Sequence, residues 1–549
     1  MSRKDFMAGS PSVMPYRIIR GVRQRMSGFE LSILLVGAIF FLLLFGNKRL
    51  PNVGDFSFLP YPDYSLWIDI GYTVSHIILA LLSIGAFSLG LGGLACKFFW
   101  FRRILAPALS VAKSIPGIGL IGVCLYFFSS DLTIVFIAAF NVIWAVTSSI
   151  LEVNDRISTD IEEVATGFRL TEWQYFWRIQ IPAAIPSMVS NISHSMPGVW
   201  FRLICAEGIL TLMQYSHISG CGGIGLIALE HRDIGNLAEI LIILVTLVLL
   251  VDQCFIRPMK IWGNRYSGEI RGPQKNHSKS WFLHFWRRSN FLSIISLEFH
   301  NLISRLGNIR FGRIYRKIDL ENEGSKNLNI IFFINISLVC LVYFLGKIKL
   351  EKILLGSLIS YWEVLNTFIL LFLFWMLSAF VLYSLKNRVS VFRFLKFFSI
   401  FPVIIFYPFL KYSGFYFVSL FLFIGTYWLV GEKIFLALDS IPNSWRQMAI
   451  NLHVKGLLLW KKLIFPSVIS NLLVGLSLAA VPMWDFLMIA ESFASKDHGL
   501  GRMLFMSVLH GTMENQIILL MTLTALLMFL ERFILQPIIT YTAQKYTIR

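Results

Sequence analysis

Residues 152–182 read EVNDRISTDIEEVATGFRLTEWQYFWRIQIP, a polar stretch between two apolar runs of membrane-spanning length. The spacing Thr159-x-x-Glu162 is that of a capping box, and it predicts the start of a short helix. Thr171-x-x-Gln174 predicts the start of a second short helix in the same way. The stretch is therefore predicted to be a loop with two short helices that joins two long apolar helices.

The second short helix carries three aromatic side chains. Trp173, Phe176 and Trp177 stand at positions i, i+3 and i+4, so a helix presents them on one face. An aromatic face exposed to water is unfavourable unless something covers it. The residues alone leave two arrangements open. The face docks into the groove of a partner protein, or it packs on this protein's own inner surface or among lipid headgroups.

The whole chain has the composition of an integral membrane protein. Of its 549 residues, 56% are hydrophobic and 15% are charged, with a mean hydropathy of +0.68. A soluble domain carries about 25% charged residues. Each apolar run of about 20 residues needs lipid as its solvent, and in lipid it must be a helix. Twelve spans are predicted, at 30–46, 70–96, 104–128, 132–151, 183–206, 235–256, 328–345, 359–385, 391–410, 415–432, 467–490 and 515–535.

The net charge of +18 reflects membrane topology, because the basic residues lie between the apolar runs, and no binding of nucleic acid is expected. Most Lys and Arg residues fall in segments that are cytoplasmic if the N-terminus is inside, which places both termini in the cytoplasm. The predicted domains are a basic tail (1–29), a first six-helix repeat (30–258), a basic linker (259–327), a second six-helix repeat (328–540) and a C-terminal segment (541–549).

The linker combines basic residues with aromatic ones. This composition fits an amphipathic segment on the inner leaflet of the membrane, and it fits a plain tether equally well. The aromatic residues are Trp281, Phe282, Phe285 and Trp286.

The two halves of the chain share residues at a constant spacing of 284. Each half has six predicted spans, so both enter the membrane from the same side. A parallel repeat with a solute path between the halves is therefore predicted. Secondary transporters also contain such repeats, so the repeat does not identify the energy source. The seven matched pairs are Trp144/Trp428, Ala165/Ala449, Pro182/Pro466, Asn191/Asn471, Trp200/Trp484, Ala206/Ala490 and Glu207/Glu491.

Residues 163–182 resemble the EAA loop of ABC importer permeases, in which E-A-A precedes three residues, a glycine, nine residues and I-x-L-P. Residues 163–165 read E-V-A and residues 179–182 read I-Q-I-P, at the spacing of the family. One position departs: Arg169 occupies the glycine site, and Gly167 lies two residues before it. The sharp turn at this site is therefore expected to be made differently.

A second, more degenerate copy of this loop follows in the second half. Residues 447–449 read Q-M-A, His453 stands at the glycine site, and L-I-F-P ends the copy at Pro466. Leu457 and Trp460 keep part of the apolar face. The flanking sequences S-M-P-G-V-W, C-A-E and G-I-G resemble the nitrate/sulfonate/taurine branch of the family.

The resemblance implies an all-α permease in the bacterial inner membrane, with about twelve helices in two parallel repeats. It implies a cytoplasmic ABC ATPase dimer and a periplasmic solute-binding protein as partners. The sequence has no G-x-x-x-x-G-K-[ST] motif, so the chain is not expected to be an enzyme, and ATP and Mg²⁺ would be bound by the ATPase. The implied solute is small, for example an anion such as nitrate, sulfonate, taurine or bicarbonate.

Two sets of functional residues follow from the resemblance and from the charges at membrane depth. The expected ATPase-coupling residues are Glu163, Ala165, Gly167, Arg169, Trp173, Phe176, Trp177, Pro182, Ala449, Leu457, Trp460 and Pro466. The candidate pathway residues are Lys113, Arg202, Glu207, Asp485 and Glu491. A competing interpretation is a secondary transporter driven by an ion gradient, which would use intramembrane carboxylates and would not need aromatic inner loops.

The pathway residues allow two interpretations. Lys113 and Arg202 would favour anions along the path. Alternatively, Arg202 pairs with Glu207 or extends to the outer surface, and Lys113 extends to the inner surface. Glu207 and Glu491 lie near the outer ends of their spans, where gating or docking competes with simple hydration.

The other singled-out residues suggest bending or packing. Pro116-Gly117 and Pro402 are expected to kink matching spans or to relieve packing. His76 and His194 are isolated, and neither the His nor the Cys residues show metal-ligand spacing.

Overall fold

The computed structural model describes residues 66–154, 157–213, 220–230, 234–263, 350–384, 417–454, 456–493, 499–510 and 513–546, with short pieces at 266, 301, 304–305 and 307–312. Some predicted features lie outside the described residues. They are the spans at 30–46, 328–345 and 391–410 with Pro402, the tail at 1–29, and the aromatic cluster of the linker.

The described residues form helices and no strand, which confirms the all-α prediction. The α-helices are α1 (Leu66–Lys97), α2 (Phe99–Ser114), α3 (Ile121–Phe127), α4 (Ser130–Asn154), α5 (Thr159–Gly167), α6 (Glu172–Tyr175), α7 (Ile181–Leu212), α8 (Gly220–Glu230), α9 (Ile234–Val251), α10 (Arg257–Gly263), α11 (Leu350–Ser384), α12 (Phe417–Ser440), α13 (Asn443–Asn451), α14 (Gly456–Leu459), α15 (Phe465–Phe493), α16 (Leu500–Leu509), α17 (Met513–Phe529) and α18 (Gln536–Tyr546). A 3₁₀ turn spans Ile118–Leu120, and π-helical turns span Phe176–Gln180, Asp252–Ile256, Trp460–Ile464 and Leu530–Leu535.

In the described part of the chain, seven helical stretches are long and apolar enough to cross a membrane. They are Trp67–Lys97, Ser130–Val153, Leu237–Gly263, Glu351–Ser384, Val418–Ser440, Gly456–Ser492 and Met513–Lys545. The chain is therefore a multi-span membrane protein. The total of twelve spans and the two complete six-helix repeats stay predictions, because part of each half lies outside the described residues.

The predicted span 104–128 is broken in the structure. Helices Trp100–Ser114 and Ile118–Phe127 meet at an angle of 96°. Pro116 explains the break, because a proline disfavours the helical conformation of the residue before it, and Ile115 is extended (φ −77°, ψ 123°). The kink predicted at Pro116-Gly117 is thus a complete interruption of the helix.

Helix α7 contains the predicted span 183–206 and follows the second short helix of the preceding loop without a break. The helix begins directly after the π-helical turn that ends at Gln180. Pro182 lies in its first turn, directly after the π-helical turn, in which the N–H of Ile181 donates to the Phe176 carbonyl. At about 1.5 Å per residue its 32 residues measure about 48 Å, longer than a membrane crossing needs. The second short helix, the π-helical turn and the span therefore form one continuous helix, with Pro186 and Pro197 inside it.

The loop after α4 has a counterpart 284 residues later. We call residues 157–180 the first loop and residues 441–464 the second loop. Each has a nine-residue helix, a four-residue helix, a five-residue π-helical turn and then a long helix. Every one of these elements begins at the same 284-residue spacing.

The nine-residue helices end in the same left-handed turn. Arg169 has φ +48°, and the N–H of Leu170 donates to the Ala165 carbonyl (3.1 Å), as in a Schellman motif. His453 has φ +53°, and the N–H of Val454 donates to the Ala449 carbonyl (2.9 Å). The expectation that the turn is made differently without glycine was wrong. Arginine and histidine adopt the conformation that usually selects glycine.

The start of each short helix in the first loop shows which capping prediction was right. Thr171 and Gln174 form the predicted capping box, each side chain bonding the other residue's backbone N–H. The prediction for Thr159 was wrong. The helix already includes Thr159, and Ser158 at the N-cap makes no side-chain capping bond.

Replacing Arg169 with glycine should raise the free energy of unfolding by roughly 0.5–1 kcal/mol. The left-handed conformation costs a residue with a side chain about 1–2 kcal/mol, and the greater chain entropy of glycine when unfolded removes only part of that gain. Thermal denaturation of the purified chain in detergent measures the change. Arg169→Ala is the control, because it removes the same side chain and keeps the strain. Equal melting temperatures for the two variants would contradict the explanation.

Candidate functional site

The aromatic face of the first loop lies largely against the protein itself. Phe176 is buried with Ile150 and Ala184 in a small apolar core. Trp173 and Trp177 are half-buried, with ring centroids 5.8 Å apart. Of the two arrangements open from the sequence, Phe176 therefore takes the second, and it braces the loop on the helices that flank it.

The exposed apolar surface of this loop lies on α5. Ile161, Val164 and Phe168 are exposed, Phe168 by 74%, while Ala165 faces inward and is buried. The sequence signal for this surface is the spacing i, i+3, i+7, which defines one helical face. This surface was not predicted from the sequence, because the three aromatic residues of the second helix form a larger apolar face.

The second loop also exposes apolar residues. Trp460 is half-buried and packs on Phe380 (6.0 Å between centroids), whereas Leu457 is 81% exposed. The other exposed apolar residues of this loop are Trp445, Met448, Ile450, Leu452 and Leu458. The degenerate copy therefore presents an apolar surface as well.

The remaining loop residues are placed as follows. Glu163, Gly167 and Arg169 are exposed. Pro182 and Pro466 each lie in the first turn of a long helix and are half-buried. No described contact tests the coupling role predicted for any of these residues.

A buried ion pair joins the two halves inside the membrane region. Arg202 of α7 donates from Nη1 to Oδ2 of Asp485 of α15 (2.9 Å), and their side chains are only 4% and 1% exposed. The Nη2 of Arg202 donates to the Ala138 carbonyl (3.3 Å). The predicted pair of Arg202 with Glu207 was therefore wrong. Spacing along one helix had suggested that pair, whereas the partner comes from the other half.

An aromatic pair lies beside this ion pair. Phe201 and Phe486 meet edge to face, with centroids 4.5 Å apart. The 284-residue spacing makes Phe201 equivalent to Asp485, and Arg202 equivalent to Phe486. The contacts 201–486 and 202–485 are thus the two reciprocal contacts that a two-fold axis between the halves would generate. One of them is aromatic and the other is ionic.

The break after α2 leaves backbone carbonyls without their partners in the helix. Side chains from other helices donate hydrogen bonds to these carbonyls. The amide of Asn141 donates to the carbonyls of Lys113 (3.4 Å) and Ile115 (3.0 Å). The amide of Gln516 donates to the Gly119 carbonyl (2.6 Å). A polar backbone group in lipid needs a partner inside the protein, and these side chains supply it.

The break also lies directly beside the ion pair. The N–H groups of Gly117 and Ile118 lie close to the Asp485 carboxylate. A Cβ at Gly117 would come within 2.9 Å of the Cδ of Arg202 and 2.7 Å of the Oδ1 of Asn141. Glycine is therefore needed here for close approach.

Lys113 is half-buried and donates to Ser148 (2.7 Å). Glu152 and Glu531 are the charges that act most on it. Since these carboxylates oppose its charge and Asp485 neutralises Arg202, the two cations do not form a positively charged path in this conformation.

Glu207 holds three helices together. Its carboxylate accepts from the Thr73 hydroxyl (3.1 Å) and the Gly222 N–H (2.9 Å), and the Nδ1 of His76 lies 3.0 Å from it. Thr73 in turn accepts from the Cys221 N–H (2.9 Å). These bonds tie α7 to α1 and to the start of α8.

Glu491 makes the equivalent contacts in the second half. It accepts from the Ser360 hydroxyl (2.6 Å) and the Gly501 N–H (2.7 Å), and Ser360 accepts from the Leu500 N–H (2.9 Å). Both glutamates are buried, so the hydration considered for Glu207 and Glu491 was wrong.

The two histidines have acidic partners. His76 contacts Glu207, as described above, and the Nδ1 of His194 lies 2.8 Å from the Oε2 of Glu432 in the second half. The ring of His194 stacks on Trp428 at 6.2 Å. Among the described residues, no group of three or more His, Cys, Asp or Glu side chains could hold a metal ion.

Comparison with known proteins finds similarity in the first half of the chain. Residues 64–255 match the profile of the family described as binding-protein-dependent transport system inner membrane component. The glycine betaine/carnitine transport permease GbuB of Listeria monocytogenes is 24% identical over 200 residues, which are 35% of this chain and 68% of that protein.

Two further relatives have similar identity. The nitrate import permease NrtB of Synechocystis is 21% identical over 184 residues, 33% of this chain and 64% of that protein. The putative aliphatic sulfonates transport permease SsuC of Escherichia coli is 23% identical over 135 residues, 24% of this chain and 48% of that protein. The chain thus spans about half to two thirds of these relatives' lengths.

Gly222→Ala should destabilise the first half, because the new Cβ would overlap the Ile204 carbonyl oxygen and press on Glu207. We expect a loss of roughly 1–3 kcal/mol, typical of overpacking, seen as a lower melting temperature. Gly225→Ala on the same helix is the control, since its Cβ would only touch Ile240 at 3.4 Å. If both variants have the same melting temperature, the close packing of α8 on Glu207 does not stabilise the contact between these helices.

Proposed function

We propose that the chain is a permease of the ABC importer type, which forms the membrane pathway for a small solute and is driven by separate ATPase subunits; the family match of residues 64–255 supports this proposal. The observation that carries this proposal is the recurrence of one exposed apolar loop in each half. Each loop stands at the start of a long helix, α7 or α15.

The two loops are suited to pass a movement into the membrane. Val164 and Ile450 lie on the nine-residue helices, which the left-handed turns at Arg169 and His453 join to the following helices. Leu457 lies on α14, which continues through a π-helical turn into α15 without a break, as α6 does into α7. From Ile181 to Arg202 the distance along α7 is about 32 Å at 1.5 Å per residue. Movement of the first loop therefore reaches the ion pair between the halves.

The partners and cofactors follow from this proposal. A cytoplasmic ABC ATPase dimer binds ATP and Mg²⁺, and each of its subunits binds one loop. A periplasmic solute-binding protein delivers the solute. The organisation proposed is two parallel six-helix repeats, with the tail, the linker and the C-terminus in the cytoplasm. The inner membrane is the location that the family supports.

For the solute we propose a small ion or zwitterion. The names of the relatives include nitrate, aliphatic sulfonates and glycine betaine/carnitine. Our sequence-based examples, nitrate, sulfonate, taurine and bicarbonate, fall in the same range. Since Arg202 and Lys113 are balanced by acidic neighbours, the choice of solute rests more on the delivering protein than on fixed positive charge in the path.

The alternative of an ion-gradient transporter requires carboxylates that are free to bind the coupling ion. Glu207, Asp485 and Glu491 are buried, and each already accepts hydrogen bonds from other helices. No described feature favours this alternative.

Aspartate at Val164 together with Ile450 should abolish ATP-dependent uptake, lowering it at least about tenfold, because it puts charge in the centre of both apolar surfaces. Co-purification of the full chain with its ATPase partner, and uptake into vesicles that contain both, measure the effect. Thr166→Asp together with Ser444→Asp is the control, since it adds the same two charges at exposed polar positions, one in each loop.

Two results would contradict the proposal. One is ATPase binding and uptake unchanged by the double variant. The other is uptake driven by an ion gradient in vesicles that contain this chain alone. Phe176→Ala separates the bracing role from the docking role, because loss of a buried phenylalanine should lower the melting temperature by itself.

A further inference from the structure

We propose that Phe201, Arg202, Asp485 and Phe486, which we call the central contact, form the gate that closes the solute path on its outer side. The proposal assumes the solute path of the proposed function, but it does not depend on the ATPase. It gives the buried ion pair a role in transport that the family match does not assign.

Burial locates the closed part of the path. Every residue of α7 from 199 to 211 is buried, and so is every residue of α15 from 483 to 491. A helix that is buried on all sides is enclosed by protein, with neither lipid nor water along it. The two enclosed segments meet at the central contact.

The same two helices open on the other side of that contact. Residues 190–195 of α7 are all half-buried. The contact of His194 with Glu432 also joins the halves, yet these side chains are 25% and 15% exposed. Side chains between the halves are therefore more exposed on the loop side of the central contact than at the contact itself. This is the pattern of a path that is closed on its outer side and open toward the loops.

The hydrogen bonds of the ion pair are sufficient to keep the path closed, yet some of its hydrogen-bonding groups are unpaired, so the two side chains can separate. Within the described residues, the Nε of Arg202 and the Oδ1 of Asp485 have no hydrogen-bond partner. One 2.9 Å bond joins the two side chains, while the Ala138 carbonyl accepts from Arg202 and the N–H groups of Gly117 and Ile118 lie beside Asp485. A buried pair gains net stability only when its remaining hydrogen-bonding groups are satisfied, so an incompletely bonded pair separates more easily than a permanent brace would.

The break after α2 completes the gate. Its residues Gly117 and Ile118 lie beside Asp485, and its carbonyls are bonded by Asn141 and Gln516. Gln516 belongs to the second half, and Asn141 to the first. The gate therefore has a third element that contacts both halves, and its extended residue Ile115 interrupts the helix where a hinge would be needed.

Cys205, a buried natural thiol one helical turn from Arg202, reports on the gate. The full chain, with its other five cysteines replaced by alanine, is placed in nanodiscs and treated with a cationic, membrane-impermeant methanethiosulfonate. We expect slow labelling with the gate intact. Arg202→Gln or Asp485→Asn should speed labelling at least about tenfold, because each leaves one buried charge unpaired and favours opening.

Three controls make the result specific. The charge exchange Arg202→Asp with Asp485→Arg should restore slow labelling. Arg257→Gln breaks the pair of Arg257 with Asp252 (2.8 Å), which lies within one half, and should leave the rate unchanged. A second reporter chain keeps only Cys221, buried in α8, and shows whether a variant has lost its packing.

The gate proposal is overturned unless both neutral variants speed the labelling of Cys205, because the charge that remains attracts the cationic reagent in one variant and repels it in the other. It is equally overturned if Arg257→Gln speeds it as much, or if Cys221 becomes reactive in parallel. Since no ATPase is present, failure here leaves the proposed function standing. If the chain proved to be a transporter that needs no ATPase, the expected labelling rates of Cys205 would be the same.

Discussion

The structure depends on the requirement that no polar backbone group be left open in lipid. At Ile115 and Gly119 the chain breaks this rule locally, since the helix ends inside the membrane region. Asn141 and Gln516 restore the missing bonds, and the second of these crosses from one half to the other. A local interruption that lipid could not tolerate thus becomes a contact that fixes the two halves against each other.

Much of this architecture could be predicted from the sequence, because it follows from short-range rules. The capping box at Thr171, the continuous helix after Pro182 and the 284-residue spacing are all carried by neighbouring residues. The position of Arg169 was also predicted, although its backbone conformation was not. Propensity disfavours arginine with a positive φ, and the Schellman bonds from the surrounding turn overcame that preference.

What could not be predicted depends on contacts between distant segments. Arg202 and Asp485 are 283 residues apart, and no spacing rule along one helix could pair them. The same applies to Phe176. Its burial depends on the position of Ile150 on the preceding span. For this reason the exposed surface of the first loop is found on α5, whereas the aromatic pattern had pointed to α6.

The central contact consists of one aromatic pair and one ionic pair, and this difference favours having both halves in one chain. If two copies of the first half assembled alone, each Arg202 would face a phenylalanine, and two guanidinium groups would be buried without an acid. Two copies of the second half would bury two aspartates in the same way. Each half is therefore a poor partner for itself. Joining both in one polypeptide guarantees equal synthesis and makes the wrong pairing rare, much as a covalent heterodimer would.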